Sequence, residues 1–194
     1  MFHKGLNKEI IINSAKELIE RDGFQAFSMH RLSEKLNVKT ASLYAHIRSI
    51  EALFTEIGLS ALREQRDCLL NAIGEQHGDA AVTAIAEGYL SFASEHAELY
   101  RLIMQMPSGD DAILKEAAAM TAEPFMLVLA DYRLTEEQKM HWQRVLRGLM
   151  HGFASEEQAG YFSHYPVSVK ESYQIAVRCM IDGLHKEEGA PNVR

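Results

Sequence analysis

The sequence predicts an all-α protein, and three observations carry that reading. Only four prolines (Pro107, Pro124, Pro166 and Pro191) interrupt 194 residues. Apolar residues recur at spacings of three and four, and no stretch sustains period-two alternation. With 47% hydrophobic residues the chain can bury a core and is not a disordered polymer. The expected architecture is three short helices over residues 1–49 followed by about six helices over 50–194.

The first helix is expected from an N-cap at Asn7 to Asp22, with Ile11, Ala15, Leu18 and Ile19 as its apolar stripe and Gly23 just past its end. Phe24 and Phe27 are expected to fold back onto that stripe. Ser28 caps the second helix, whose Leu32 and Leu36 face the first. Asn37 stands where a left-handed residue is wanted, Val38 plugs the turn, and a third helix starts near Thr40. Ser49 caps a long helix over about 50–76. Gly78 and Asp79 break and restart the chain into a helix reaching Ser94. A shorter helix from Glu95 to Met106 is stopped by Pro107, Ser108 and Gly109. Pro124 predicts a kink or a split in the segment Asp110–Tyr132. Thr135 and Gln138 form a capping box opening a helix to about Phe162, and Ser168 caps a last helix to about His185.

Residues 27–53 therefore read as two short helices joined by a tight turn, the form in which a helix-turn-helix presents its second helix to the DNA major groove. Charge agrees with that placement. The whole chain carries −7, yet residues 1–50 hold Lys4, Lys8, Lys16, Arg21, Arg31, Lys35, Lys39 and Arg48 against Glu9, Glu17, Glu20, Asp22 and Glu34, a local net of +3 that leaves −10 for the rest. A basic module on an acidic body suits contact with phosphate at one end and another task at the other. Leu43 and Ile47, four apart, should pack inward, leaving Thr40, Ser42, Tyr44 and His46 to face the groove, with Lys39 and Arg48 as charges at either end. Ser28 and Met29 open the second helix, where a hydroxyl and backbone N–H groups suit a phosphate. The small Ala41 and Ala45 permit close approach or contact with a thymine methyl. Tyr44 also reads as a half-buried core residue, and His46 as a surface histidine. So few long donors leave part of the specificity to DNA shape.

These residues resemble the DNA-binding domain of the tetracycline-repressor (TetR) family. The shared pattern is a first helix ending in Asp22-Gly23-Phe24, a Ser opening the second, and the segment Asn37–Leu53, in which Val38, Ser42, Leu43, Tyr44, His46, Glu51 and Leu53 match. Asn37 replaces the usual Gly and Ile47 an aromatic. Ile50 stands where the family usually has a Lys against the DNA backbone, a role that Arg48 could take over.

The segments EHAELYRLIMQMP and WQRVLRGLMHGFASEEQAGYF look like the C-terminal domain type named for a Trp-His-Gly signature. Here the signature reads Met150-His151-Gly152, and a Trp occurs instead at Trp142. The resemblance implies an effector-binding and dimerisation domain. From the residues themselves, Leu146, Leu149, Met150, Phe153 and Ala154 form one stripe, with Gly148, Gly152 and Gly160 small enough for close helix approach. Ile175, Ala176, Cys179, Met180, Gly183 and Leu184 form another. Such stripes are more often core than interface, but a helix-turn-helix reader needs two-fold symmetry to span half-sites about 34–36 Å apart. Leu146, Leu149, Phe153, Tyr161, Ile175, Met180 and Leu184 are the candidate interface residues. Tyr89, Phe92, Leu102, Met106, Phe125, Met126 and His151 are the candidate ligand contacts, because Met and aromatic side chains adapt to an apolar guest; each also reads as ordinary core.

The expected function is a cytoplasmic, sequence-specific transcriptional regulator, a homodimer that binds a pseudo-palindromic double-stranded operator and is a repressor released by a small, largely apolar effector. A body that binds a protein partner, or an activator, is compatible with the same residues. Catalysis finds no support: there is no HExxH, no paired Glu-x-x-His and no Gly-rich phosphate loop. No cofactor or metal is expected. Cys68 and Cys179, far apart and without metal spacing, read as buried free thiols. No stretch of about 18 apolar residues suggests a membrane span, and no leader is evident.

Overall fold

The computed structural model describes residues 5–105 and 111–188. Among them are nine helices and no strand: α1 (Lys8–Asp22), α2 (Met29–Lys35), α3 (Thr40–Tyr44), α4 (Ile50–Ile73), α5 (Gly78–Glu95), α6 (Ala97–Met104), α7 (Asp111–Leu129), α8 (Glu136–Gln158) and α9 (Val169–Glu187). A single 3-10 turn, Phe24–Ala26, follows α1. The chain forms two compact units, one of Met1–Arg63 with His96–Leu114, the other of Glu64–Glu95 with Lys115–Arg194. The division falls inside α4.

In the first unit the expected caps are in place. Asn7 Oδ1 accepts the Ile10 amide at 2.9 Å, Ser28 Oγ the Arg31 amide at 3.2 Å and Ser49 Oγ the Ala52 amide at 3.1 Å. Gly23 and Asn37 take the left-handed half of backbone space, φ 84° and 52°. The core is Ile11, Ala15, Leu18, Ile19, Leu32, Leu43, Leu53 and Ile57, with Leu99 and Tyr100 of α6. Phe24 and Phe27 pack on Phe54 of α4, with ring centroids 4.8 and 5.3 Å apart. The 3-10 turn that holds Phe24 packs against α1, as do α2 and α6.

The second unit packs α5, α8 and α9 against one another. Close backbone approach is built at two glycines. A Cβ on Gly88 would lie 2.8 Å from Ala72 Cβ, and one on Gly183 2.7 Å from the Trp142 ring. Gly148 and Gly152, expected to serve such contacts, have open space where a Cβ would stand, and Gly160 (φ 78°) instead terminates α8. There the Tyr161 amide reaches back to the Glu156 carbonyl at 3.0 Å, so α8 stops at Gln158 and not near Phe162. The Thr135–Gln138 capping box is present. Pro124 does not split its segment: α7 runs through it. Proline there removes one hydrogen bond, the one its own N–H would give to Met120, while Phe125, Val128 and Leu129 bury the helix beyond it. The break at Pro107–Gly109 lies outside the described residues.

Cys68 and Cys179 are free. Cys179 is exposed on α9 and Cys68 is half-buried, so neither is the fully buried thiol expected; burial still pushes the Cys68 thiol up. No helix among the described residues is long and apolar enough to cross a membrane.

Candidate nucleic-acid interface

The reading face is built from two very short helices, of seven and five residues. Helices of that length have too few internal hydrogen bonds to hold themselves. Their turn does it: with Asn37 left-handed, the Val38 amide reaches the Ser33 carbonyl at 2.9 Å and the Asn37 amide the Glu34 carbonyl at 3.0 Å. Ser33, buried, donates its hydroxyl to the His30 carbonyl at 2.8 Å and sits 2.9 Å from Thr40 Oγ1. Ser33 has one proton and gives it to His30, so Thr40 is the donor of that second bond. Thr40 thus ties α3 to α2, and its hydroxyl has only lone pairs left to offer outside.

Leu43 and Ile47 anchor α3 at 0% and 3% exposure. Against that anchor Lys39, Ala41, Tyr44, Ala45, His46 and Arg48 are exposed, Tyr44 to 50%, and Ser42 is half-exposed. The structure therefore brings most of the expected reading residues onto one surface. Met29 departs from the expectation: its side chain is buried at 7% exposure, because the first residue of α2 faces the core, leaving only backbone at that position. Ser28 has its oxygen engaged as the α2 cap, and its O–H can still donate.

The local positive charge is concentrated by pairing elsewhere. Lys8 pairs with Glu56 at 2.5 Å, Arg21 and Arg31 with Asp22 at 2.7 and 2.6 Å, and Lys35 with Glu17 at 2.8 Å. The two guanidiniums hold the Asp22 carboxyl below its ordinary range. Among the described residues Lys39 and Arg48 form no ion pair. Lys39 and Arg48, which flank α3, are therefore exposed cations able to attract phosphate.

Two domain descriptions match this chain. Residues 11–57 fit "Bacterial regulatory proteins, tetR family", and residues 82–180 fit "Tetracyclin repressor-like, C-terminal domain". The chain belongs to the TetR family. It is a DNA-binding transcriptional regulator of that family. It is 26% identical over 182 residues to the HTH-type transcriptional regulator YobS of Bacillus subtilis (strain 168), with 93% of each chain covered. It is 30% identical over 157 residues to the HTH-type transcriptional regulator Rv0681 of Mycobacterium tuberculosis (strain ATCC 25618 / H37Rv), covering 80% of this chain and 72% of that one. In fold it is similar to the TetR family protein ActR of Streptomyces coelicolor, solved in complex with actinorhodin: TM-score 0.69, 17% identity, 95% of this chain and 99% of that one.

The other expected sites of this TetR-family chain are distributed less simply. Tyr89, Phe92 and Phe125 are buried, Tyr89 edge-on to Phe125 with centroids 6.3 Å apart, and Met126 is half-buried. Leu102 belongs to the first unit, whereas the others belong to the second; Met106 lies outside the described residues. His151 is half-buried 3.4 Å from Ser155 Oγ, and burial together with Arg147 pushes its pKa down, favouring the neutral ring. Two clefts in the second unit are lined by other residues: one of about 250 Å³ by Phe153, Phe162, Tyr165, Val167, Val169 and Ser172, another of about 410 Å³ by Glu87, Leu90, Ser94, Lys170 and Tyr173 among others. Phe153, expected at an interface, faces the first cleft and touches Phe162 and Tyr173 at 5.7 and 5.0 Å. Leu146 and Leu184 are buried in the chain's own core at 1% and 0% exposure. The outer faces of α8 and α9 carry Val145, Gly148, Ile175 and Cys179 instead, with Leu149 and Met180 half-exposed and Tyr161 exposed beyond α8. Val145, exposed and four residues before Leu149, lies outside the expected interface set.

Proposed function

We propose that this TetR-family regulator is a cytoplasmic homodimeric repressor whose Tyr44-centred surface reads a pseudo-palindromic operator. The observation that carries the reading is the rigidly anchored α3, which exposes Lys39, Ala41, Ser42, Tyr44, Ala45, His46 and Arg48 while its apolar residues are buried. In this reading Lys39 and Arg48 neutralise phosphate, Arg48 taking the place of the Lys missing at Ile50. Tyr44 and the small residues meet the groove, and Ser28 donates to a phosphate oxygen. Val145, Leu149, Ile175 and Met180 supply the apolar surface for a second copy.

The effector is proposed as a small, largely apolar molecule bearing at least one hydrogen-bond acceptor. Gln65 supports the acceptor: it is 4% exposed, and its amide Nε2 has no hydrogen-bond partner among the described residues. A buried donor without a partner costs about 1–3 kcal/mol, and a ligand oxygen would recover it. An effector that prefers the state unable to bind DNA shifts the population away from the operator.

Band-shift titration on the promoter of the protein's own gene tests the reading. Tyr44→Ala is expected to cost about tenfold or more in specific affinity, in line with the loss of one base contact. Lys39→Ala and Arg48→Ala should each lower the salt slope by about one. Specific binding untouched by Tyr44→Ala would sink this assignment of the reading helix.

A further inference from the structure

Helix α6 is separated from the reading helices by about a quarter of the chain, yet it belongs to the same compact unit. Its apolar face, Leu99, Tyr100, Leu102 and Ile103, is buried. Its polar side grips one place. Glu98 Oε2 accepts the Phe24 amide at 2.9 Å, and the same oxygen would stand 3.7 Å from a Cβ on Gly23. Arg101 pairs with the other Glu98 oxygen. Two residues earlier, His96 Nδ1 lies 2.5 Å from Glu20 Oε1 on the last turn of α1.

Gly23 and Phe24 form the joint through which α1 hands the chain to α2 and α3. The left-handed Gly23 makes the corner, and the Phe24 amide is the first donor beyond it, with no carbonyl of its own helix to meet. This amide is only part-buried, so water could serve it. A carboxylate from a distant helix adds direction and a charge-assisted bond. It fixes the angle at which the reading helices leave α1. In the chain α6 lies between α5 and α7.

We propose that Glu98, assisted by His96, is a positioning residue for DNA recognition: it holds the Gly23–Phe24 joint and so sets the half-site spacing that a dimer accepts. The proposal rests on the dimeric operator reading above. Its consequence is selective. Loss of the Glu98 acceptor leaves the reading surface intact but lets α2 and α3 swing together against α1, so tolerance for spacing changes while recognition of one half-site does not.

The test uses a duplex selected from random DNA by the wild-type protein, a single half-site cut from it, and a series with one to three base pairs added to or removed from the centre. Wild type should show a sharp spacing optimum, with a penalty of about tenfold or more per added base pair. Glu98→Leu should flatten that profile to about threefold or less while holding half-site affinity within about twofold. Glu98→Gln, which keeps an acceptor oxygen for the Phe24 amide, should restore the optimum, and His96→Ala should flatten it partially. The half-site measurement also reports whether each variant's head is folded. A Glu98→Leu profile as sharp as wild type overturns the proposal, as does a proportional loss of half-site affinity or a Glu98→Gln profile as flat as Glu98→Leu. Wild-type protein with no spacing optimum at all would overturn the dimer reading itself.

Discussion

The two compact units use polar side chains for different ends. In the first, side chains tie short elements to one another: Ser33 joins α2 to Thr40, Asp22 joins α1 to Arg31, and Glu98 joins α6 to the Phe24 amide. In the second, the helices are long, α5, α8 and α9 having 18, 23 and 19 residues. They are held by apolar layers and by backbone approach at Gly88 and Gly183. Polar groups there finish off what packing leaves over, as when Tyr173 donates to the Ala86 carbonyl at 2.9 Å and Gln158 to the Ala93 carbonyl at 2.7 Å. A seven-residue helix needs its neighbours' side chains to exist at all, whereas a 23-residue helix needs only a dry face. The first arrangement constrains sequence closely and keeps one surface constant. The second leaves the outer faces free to vary with ligand and partner.

The sharpest way to break this contrast is at Leu43, the 0%-exposed anchor of α3. Leu43→Ala removes a buried side chain from a helix with nothing in reserve. The expected loss is about 2–5 kcal/mol, read by denaturant unfolding, with specific DNA binding abolished. An unfolding midpoint unchanged from wild type would show that α3 is held by its hydrogen bonds alone.

That contrast also explains what could be read from the residues. Asn7, Ser28, Asn37, Ser49, Thr135 and Ser168 were legible because a cap or a left-handed turn is decided within four residues. Leu43 and Ile47 were legible for the same reason. Nothing local announces Phe54 as a partner of Phe24 and Phe27, and nothing near Glu98 announces that its partner is the Phe24 amide, 74 residues away. Leu146 and Leu184 look like interface leucines in a stripe. Only the packing of α8 and α9 on the rest of their unit decides which edge of the stripe stays open.

Glycine substitutions in the second unit sharpen the comparison with smaller effects. Gly88→Ala would press a Cβ to within 2.8 Å of Ala72 Cβ. Overpacking of about 1–3 kcal/mol outweighs the helix-propensity gain of about 1 kcal/mol, so a net loss near 1 kcal/mol is expected. Gly148→Ala meets nothing within 4 Å, and within one chain it should stabilise by about 0.5–1 kcal/mol. If α8 packs against a second copy at Gly148, the same change weakens the dimer. Thermal unfolding at two protein concentrations, with sedimentation, separates the two results: a gain independent of concentration removes Gly148 from the interface.

The smallest effect concerns the far end of the second unit, where hydrogen bonds supplement the packing of Tyr132 on the His185 ring, centroids 5.6 Å apart. His185 of α9 lies 2.9 Å from an Asp79 oxygen on the first turn of α5 and 3.3 Å from Glu188, while Tyr132, between α7 and α8, donates to Asp79 at 2.7 Å. The Glu188 carboxylate also accepts the Arg133 amide at 2.8 Å. The two carboxylates raise the His185 pKa above its ordinary value, chiefly through the Asp79 hydrogen bond, and hold Asp79 below its own, chiefly through His185. The signs are opposite. The histidine's contribution is complete below its unfolded pKa of about 6.5 and fades as pH rises through the higher folded value. The aspartate's is complete above its unfolded pKa of about 3.9 and fades as pH falls through the lower one. The latch therefore holds best between the two unfolded values, from about pH 4 to about 6.5, and weakens above and below that window. His185→Gln should remove the alkaline loss and shrink the acid limb to the part that Tyr132 still holds through Asp79, seen as melting temperature against pH from 4 to 8.5. An unchanged alkaline limb would assign it to another group and leave the α5–α9 end fastened by Tyr132 and Asp79 without the histidine's charge.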